Sequence, residues 1–493
     1  MSDACTMRNL PLRVERKAHA YENRCARFLV PKLQQASNAP LSQYFEVYRA
    51  RLAALRDRLQ RAAEQKYGLR APVCALSALA EEQLCVVIGT LVKHQDLRQS
   101  VLKSFDTDLD DGENEEMRNE QSGAGSLTSR SDFVELEDDV QKVKLAGNID
   151  VDKLVTGVTL AVLGRKKAGD TFDVEELMLS PEPLTPAPTT ATAQRKPHGD
   201  GDSYVLLLSG LSFTGADKWD VPMEAAANVL VDWLTGAAGF CVADGGGGVA
   251  GVDASRICRV VVAGDSISGS SEDREFNKKA RYLTRKATCP SVQCIRLVDN
   301  FLARLVPSVP VDLMPGEQDP TARMLPQQPM HKCMFPLCSL FGGMLNLVSN
   351  PYELVVDGVL MVGTSGQNVR DAARYAKFAS ELEALEQLFR WQHIAPTAPD
   401  TLDCFAVVGH DPLLMRPTEE APLPDVFFAG NQPRFQHKVV ERADGGRTLL
   451  LCVPSFSRTK TAVLLNVATL HCELVGHFLL DDEPPSSPTL LPR

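Results

Sequence analysis

The residues best placed for chemistry lie at the ends of five apolar runs. VLLLSGL, RVVVAGD, PVDLMPG, GVLMVGTSG and DVFFAGN each close on glycine or another small residue. That is the grammar of a buried strand whose C-terminal end opens a loop, where α/β sheets build their sites. The ends carry Ser209 and Leu211, then Asp265, then Glu317 and Gln318, then Ser365, then Asn431 and Pro433. Carboxylates and imidazoles converging from such ends would hold divalent cations that orient a hydroxide on a phosphoester. This set is poor in them. Leucine and proline have no donor atom, and glutamine is a weak substitute for imidazole. Asp265 alone is left as a bridging carboxylate, which does not hold a metal pair against hydration. His393, His410 and His437 fall outside these positions and read as surface or core residues. No metal and no cofactor is expected, and Asp265 should accept hydrogen bonds from the turn that follows it.

Other constellations fail on context. Gly246, Gly248 and Gly251 fit G-x-G-x-x-G, but the next segment, ASRICRVVVAGD, reads as a strand where a dinucleotide loop must open a helix. GDSIS (264–268) and GTSGQ (363–367) lack the closing glycine of a nucleophile elbow. The 13 cysteines contain no CxxC pair, so buried reduced thiols are expected rather than zinc. A reducing compartment suits them.

The elements that must position these residues follow from composition. The chain has 493 residues, 44% hydrophobic and 23% charged, values of a globular protein of about three domains. No run offers the roughly 18 apolar residues of a membrane helix, and the charged N-terminus lacks a secretory core. Net charge is −11, which disfavours a surface that grips phosphate backbones throughout. Met1–Gly68 is the exception, with 13 Lys/Arg against 6 Asp/Glu, most simply a solvated helix face.

Residues 1–40 read as a polar, irregular extension. Ser42–Tyr67 is one helix with Ser42 as N-cap and Phe45, Leu52, Leu55 and Leu59 at helical spacing, stopped by Gly68. Leu84–His94 is a strand interrupted by Gly89, and four more short strands lie between Phe133 and Leu179, so residues 41–180 suggest a small closed β-barrel. Within them, 106–131 opens with eight acidic residues and one base up to Glu120 and reads as a mobile loop. Residues 181–202, with five prolines, are a linker. The five strand ends belong to a domain spanning 203–480, followed by a tail over 481–493. In that domain Val369–Gln392 reads as one helix, with Asn368 and Asp371 placed like a capping box. Between Leu69 and Ser180 the aromatics are Phe105, Phe133 and Phe172, too few for the stacking platforms of a single-strand nucleic-acid groove. A protein-docking role for the barrel is favoured.

The order of the strand ends resembles calcineurin-like metallophosphoesterases, whose five ends carry D-x-H, G-D, G-N-H, a lone His and G-H-x-H. Only Asp265 matches. Longer strings are more specific. PQQPMHKCMFP (326–336), SNPYE, GTSGQNVRDAARY, HIAPTAPDTL, FAGNQPRF, VPSFSRTKTAVLLN and KLAGNIDVDKLVTG (144–157) closely resemble the B-type small subunits of DNA polymerase delta. The resemblance runs from about Leu41 to Leu470. It implies a mixed α/β and β fold: an oligonucleotide-binding (OB) type barrel joined to an inactivated calcineurin-like two-sheet sandwich flanked by helices. It implies a nuclear, non-catalytic scaffold that binds the cysteine-rich C-terminal region of the catalytic subunit and the N-terminal domain of a third subunit. Contact with DNA and the sliding clamp would be indirect, and polymerase zeta would share the same small subunit. The alternative on the same plan is an active metal-dependent phosphodiesterase or nuclease.

Overall fold

The computed structural model describes residues 14–30, 43–98, 126–167, 169–181, 202–215, 220–237, 252–268, 289–416, 418 and 421–476. The core of the acidic loop, residues 182–201 of the linker, the glycine run 245–251 and the tail 481–493 lie outside them, as does Ser42.

The first half contains β1 (Tyr21–Asn23), α1 (Phe45–Tyr67), β2 (Val73–Cys74), β3 (Leu84–His94), β4 (Phe133–Glu137), β5 (Lys142–Gly147), β6 (Thr159–Lys166) and β7 (Thr171–Met178). Strands β2 to β7 form one sheet in the order β2-β3-β4-β5-β7-β6, and β6 also pairs with β3. The pairings therefore form a closed ring around Val87, Leu136, Leu160 and Phe172. Strand β3 runs unbroken through Gly89, contrary to the interruption expected there. A Cβ at that position would stand 2.6 Å from the carbonyl oxygen of Glu137, so the glycine serves close packing of β3 on β4.

Helix α1 ends at Gly68, whose N–H bonds the Glu64 carbonyl at a φ of 55°. Its buried stripe holds Leu52, Leu55 and Leu59 as the spacing predicts, but Phe45 is exposed and Arg51 and Arg58 are buried. The solvated basic face expected here is therefore only partly so. Residues 14–30 also depart from the irregular extension expected: β1 pairs antiparallel with an edge strand of the second half, and Cys25 and Phe28 enter two different cores.

The second half contains β8 (Tyr204–Leu208), α2 (Val221–Thr235), β9 (Ile257–Ala263), α3 (Pro290–Leu305), β10 (Val311–Met314), β11 (Leu345–Leu347), β12 (Tyr352–Val356), β13 (Val359–Thr364), α4 (Gln367–Tyr375), α5 (Glu381–Trp391), β14 (Val426–Gln432), β15 (Gln436–Glu441), β16 (Arg447–Pro454), α6 (Phe456–Thr459), β17 (Thr461–Asn466) and β18 (Cys472–Gly476). One six-stranded sheet runs β11-β10-β9-β8-β17-β18, a second β1-β12-β13-β14-β16-β15. Strands β8, β9 and β10 are mutually parallel, as are β13, β14 and β16.

Alternation along each strand sets the layers. Leu206 and Leu208 of β8 face α2 and α3. Val205 and Leu207 face Met361 and Phe428 of the other sheet. Phe427 and Ala429 of β14 face Leu385 and Phe389 of α5 in the core that also holds the interior of the closed sheet.

The single helix expected over Val369–Gln392 is two. Ala376 is extended, and Ser380 caps α5 by accepting from the Glu383 N–H, while Glu383 accepts from the Ala379 N–H at 2.5 Å. That Ser-x-x-Glu box starts a second helix. Asn368 and Asp371 do not form the capping box expected of them. Gly366 occupies the N-cap of α4, and Asn368 is buried inside the helix, donating to the Ile394 carbonyl.

Candidate functional site

The parallel strands of both sheets end at one place. Gly430 at the end of β14 lies so near β9 and β8 that a Cβ would stand 2.6 Å from the Ala263 oxygen and 3.0 Å from Ser209 Cβ. Gly264 has φ +80°, and its Cβ would meet Ser365 at 2.5 Å and Gly316 at 2.8 Å. Larger residues would force the ends apart.

Five of the expected site residues come together there, and they bond one another or the adjoining backbone. Ser209 Oγ donates to the Pro454 oxygen (2.9 Å) and accepts from the Asn431 N–H (2.9 Å). Asn431, at a φ of 56°, donates through Nδ2 to the Ser365 oxygen (2.9 Å). Ser365 donates its N–H to Asn350 Oδ1 (3.1 Å), and its hydroxyl accepts from Asn350 Nδ2 (2.7 Å). Asp265 Oδ1 accepts from the Gln318 N–H (3.0 Å). Its partner is thus the third strand end, not the turn after itself, which corrects the expectation.

The other expected positions stand apart. Glu317 reaches outward to Arg370 at 2.7 Å. Leu211 is fully buried in the core under α2 and α3. Pro433 is exposed beyond the end of β14. Of the three histidines away from the motif positions, His393 is buried, and His410 and His437 are exposed.

The residue that does hold the turn after Asp265 is Asp319, which sequence reasoning missed. Its Oδ1 accepts from the N–H groups of Ser266 (2.9 Å) and Ile267 (3.2 Å), and Oδ2 from that of Gly316 (2.8 Å). Burial, then the neighbouring Asp265 carboxylate, pushes the Asp319 pKa up to about 7. Burial also raises that of Asp265. The pair favours a retained proton rather than two free anions.

An amide network adds to this. Gln327 Oε1 accepts from Asn350 Nδ2 (2.7 Å) and Gln367 Nε2 (2.9 Å), while Gln327 Nε2 donates to the Gly316 oxygen (3.0 Å). These residues belong to PQQP, SNPYE and GTSGQN, so the strings that carried the resemblance meet around the strand ends. Their membership in those strings was the one signal that could have found them.

The donor set does not fit a metal pair. Among the described residues no three His, Cys, Asp or Glu side chains converge as a metal would need. Ser209, Ser365 and Asn431 spend their polar atoms on protein partners. The arrangement joins two sheets; its chemistry is that of a polar weld.

Among the described residues of the closed sheet, Phe133 stacks on His94 with ring centroids 4.6 Å apart, and Lys144 Nζ lies 4.2 Å from the Phe133 centroid. Phe172 is buried, and Phe105 lies outside the described residues.

Residues 205–437 match the family of B-type subunits of DNA polymerases alpha and epsilon, and residues 43–177 match the OB-fold domain of DNA polymerase delta subunits. The chain is 34% identical to DNA polymerase delta subunit 2 of Drosophila melanogaster, over 90% of this chain and 94% of that one. It is 33% identical to the DNA polymerase delta small subunit of Oryza sativa subsp. japonica, over 94% and 98%. It is 28% identical to that of Saccharomyces cerevisiae, over 88% and 89%. With two such relatives matched above 30% identity along nearly their whole lengths, the chain belongs to the family of DNA polymerase delta small subunits.

Proposed function

We propose that this chain is a non-catalytic accessory subunit of a nuclear DNA polymerase delta complex. In this reading the closed sheet of residues 41–180 is an OB-type barrel, and residues 203–480 are a calcineurin-like sandwich that has lost its metals. A Pro-rich linker over 181–202 joins them. The chain binds the cysteine-rich C-terminal region of the catalytic polypeptide and the N-terminal domain of a third subunit. It reaches the sliding clamp and DNA only through them, so clamp-bound DNA is held by effective concentration rather than by direct grip.

The observation that carries this reading is the commitment of the strand-end side chains to one another. Ser209, Asn431, Ser365 and Asp265 each bond protein groups, where a phosphoesterase would aim carboxylates and imidazoles at two cations. Ser209, Leu211, Asp265, Glu317, Gln318, Ser365, Asn431 and Pro433 are accordingly read as the remnant of a metal pocket. The printed names of the relatives support the polymerase assignment.

Co-expression with a polymerase delta catalytic subunit tests the proposal. A stoichiometric complex should elute from gel filtration and improve the yield of soluble chain. A chain that stays monodisperse alone and elutes apart from the catalytic subunit would overturn it.

A further inference from the structure

Strand β2 is a short spur on the closed sheet. It holds two residues, Val73 and Cys74, and runs parallel to β3 with Val73 opposite Val86 and Cys74 opposite Val87. Alternation then sorts the side chains. Val73 and Val86 pack with Leu55 and Leu59 of α1. Cys74, Cys85 and Val87 point to the other face, into the core inside the ring. Cys74 and Cys85 therefore share one face of neighbouring strands, and their thiols are in hydrogen-bond contact.

The two thiols differ in access. Cys74 is half-buried, whereas Cys85 is 1% exposed. Burial, then Cys74 beside it, pushes the Cys85 pKa up to about 11, so Cys85 stays a protonated thiol. The spur itself is lightly held: the Pro72 oxygen accepts from the Val86 N–H (2.9 Å), and Asp138 Oδ2 from the Leu76 N–H (3.2 Å). A two-residue strand can make the approach that turns thiol contact into a bond while β3 stays in its ladders. A reachable thiol with a second one in contact suits a redox-sensing pair, in which the first reacts and the second resolves it. Where thiols are kept reduced, such bonds are transient and regulatory.

We propose that Cys74 and Cys85 form a reversible disulfide in response to hydrogen peroxide. Cys74, as thiolate, attacks one peroxide oxygen; the S–O bond forms as the O–O bond breaks, and hydroxide leaves. The Cys85 sulfur then displaces the hydroxyl of the Cys74 sulfenic acid. The S–S bond forms, and the Cys85 proton departs with that hydroxyl as water. Two electrons pass from the sulfurs to the peroxide, so two thiols and one hydrogen peroxide give one disulfide and two waters. A dithiol reductant reverses the bond by exchange. Closed, it staples β2 to β3 beside the end of α1. The assignment goes beyond the polymerase reading and does not depend on it.

The test treats the full chain with graded hydrogen peroxide, blocks the remaining thiols with N-ethylmaleimide in denaturant, and digests with trypsin. Cleavage after Arg70 and Lys93 leaves both cysteines in one peptide, 71–93, with Glu81 and Glu82 between them. That peptide should lose both alkylation sites and weigh two hydrogens less. Glu-C should cut it without separating the halves until dithiothreitol is added. Cys85→Ala should leave Cys74 as a sulfenic acid that dimedone labels, and Cys74→Ala should leave Cys85 alkylatable. Two free thiols in peptide 71–93 at a dose that oxidises the exposed Cys333 would overturn the proposal. So would either cysteine bonded to a third, or Cys74 oxidised in the unaltered chain with Cys85 still free. Oxidation of Cys85 in Cys74→Ala would overturn the order of the two steps.

Discussion

Arg51 Nε lies 2.6 Å from Asp411 Oδ2, and both side chains are fully excluded from solvent. The same guanidinium donates to the carbonyls of Gly157 (2.9 Å), Pro396 (2.8 Å) and Ala398 (2.9 Å). A residue of α1 thereby ties the closed sheet to the loops of the second half. A buried pair of this type is tolerable because its donors are spent on acceptors.

Removing one partner should therefore be costly. Asp411→Ala leaves a buried cation without its counterion and is expected to destabilise the protein by about 3–5 kcal/mol. Arg51→Met with Asp411→Leu should not recover that loss, because the buried carbonyls of Gly157, Pro396 and Ala398 then lack their donor. Urea unfolding of the two variants measures both. An Asp411→Ala cost below about 1 kcal/mol would show that the junction does not rest on this pair.

Gly157 gives a second reading of the same junction. At φ +89° its Cβ would stand 1.9 Å from the Pro396 oxygen. Gly157→Ala should cost more than about 3 kcal/mol, from strain and overpacking together. Gly169 has φ +90° with nothing within 4 Å, so Gly169→Ala should cost only the backbone strain, about 1–2 kcal/mol. Equal costs would mean that the two halves separate freely.

Two buried groups should oppose each other in the pH dependence of stability. Burial, reinforced by Asp265, raises the Asp319 pKa to about 7 from 3.8. The folded state then holds the extra proton, and this stabilisation, complete below the unfolded pKa, is lost as pH rises towards 7. Burial, then the Arg51 charge, lowers the His393 pKa from 6.5 to about 3. Its contribution is present above the unfolded pKa and lost as pH falls. Asp319→Asn should make stability climb more steeply with pH between these limits, and His393→Leu should make it climb less. Urea midpoints across that range decide, and identical slopes in both variants would contradict the assignment.

These residues also show where sequence reasoning reached and where it stopped. Strand ends and the Gly68 stop were legible because alternation, apolar runs and glycine are local signals. The buried Arg51 and Arg58 were not: their neighbours Gly157, Ala398 and Arg416 lie 106, 347 and 358 residues away in sequence. The break between α4 and α5 was present in Ser380 and Glu383, but the stripe Tyr375, Phe378, Leu382, Leu385, Phe389 keeps helical spacing across it and hid the cap. At the candidate site the donor deficit could be counted from residue types alone. Asp319 could not be foreseen, since its task is to bind three backbone N–H groups from two loops.

Ser209, Asn431 and Ser365 bind one another and the adjoining backbone at the strand ends, and the proposed function requires that they leave no seat for a metal pair. Manganese titration of the purified chain, with bis(p-nitrophenyl) phosphate as substrate, tests this most directly. The prediction is turnover no faster than manganese alone, without saturable metal binding, and identical in Asp265→Ala. Saturable manganese binding with hydrolysis abolished by Asp265→Ala would contradict it.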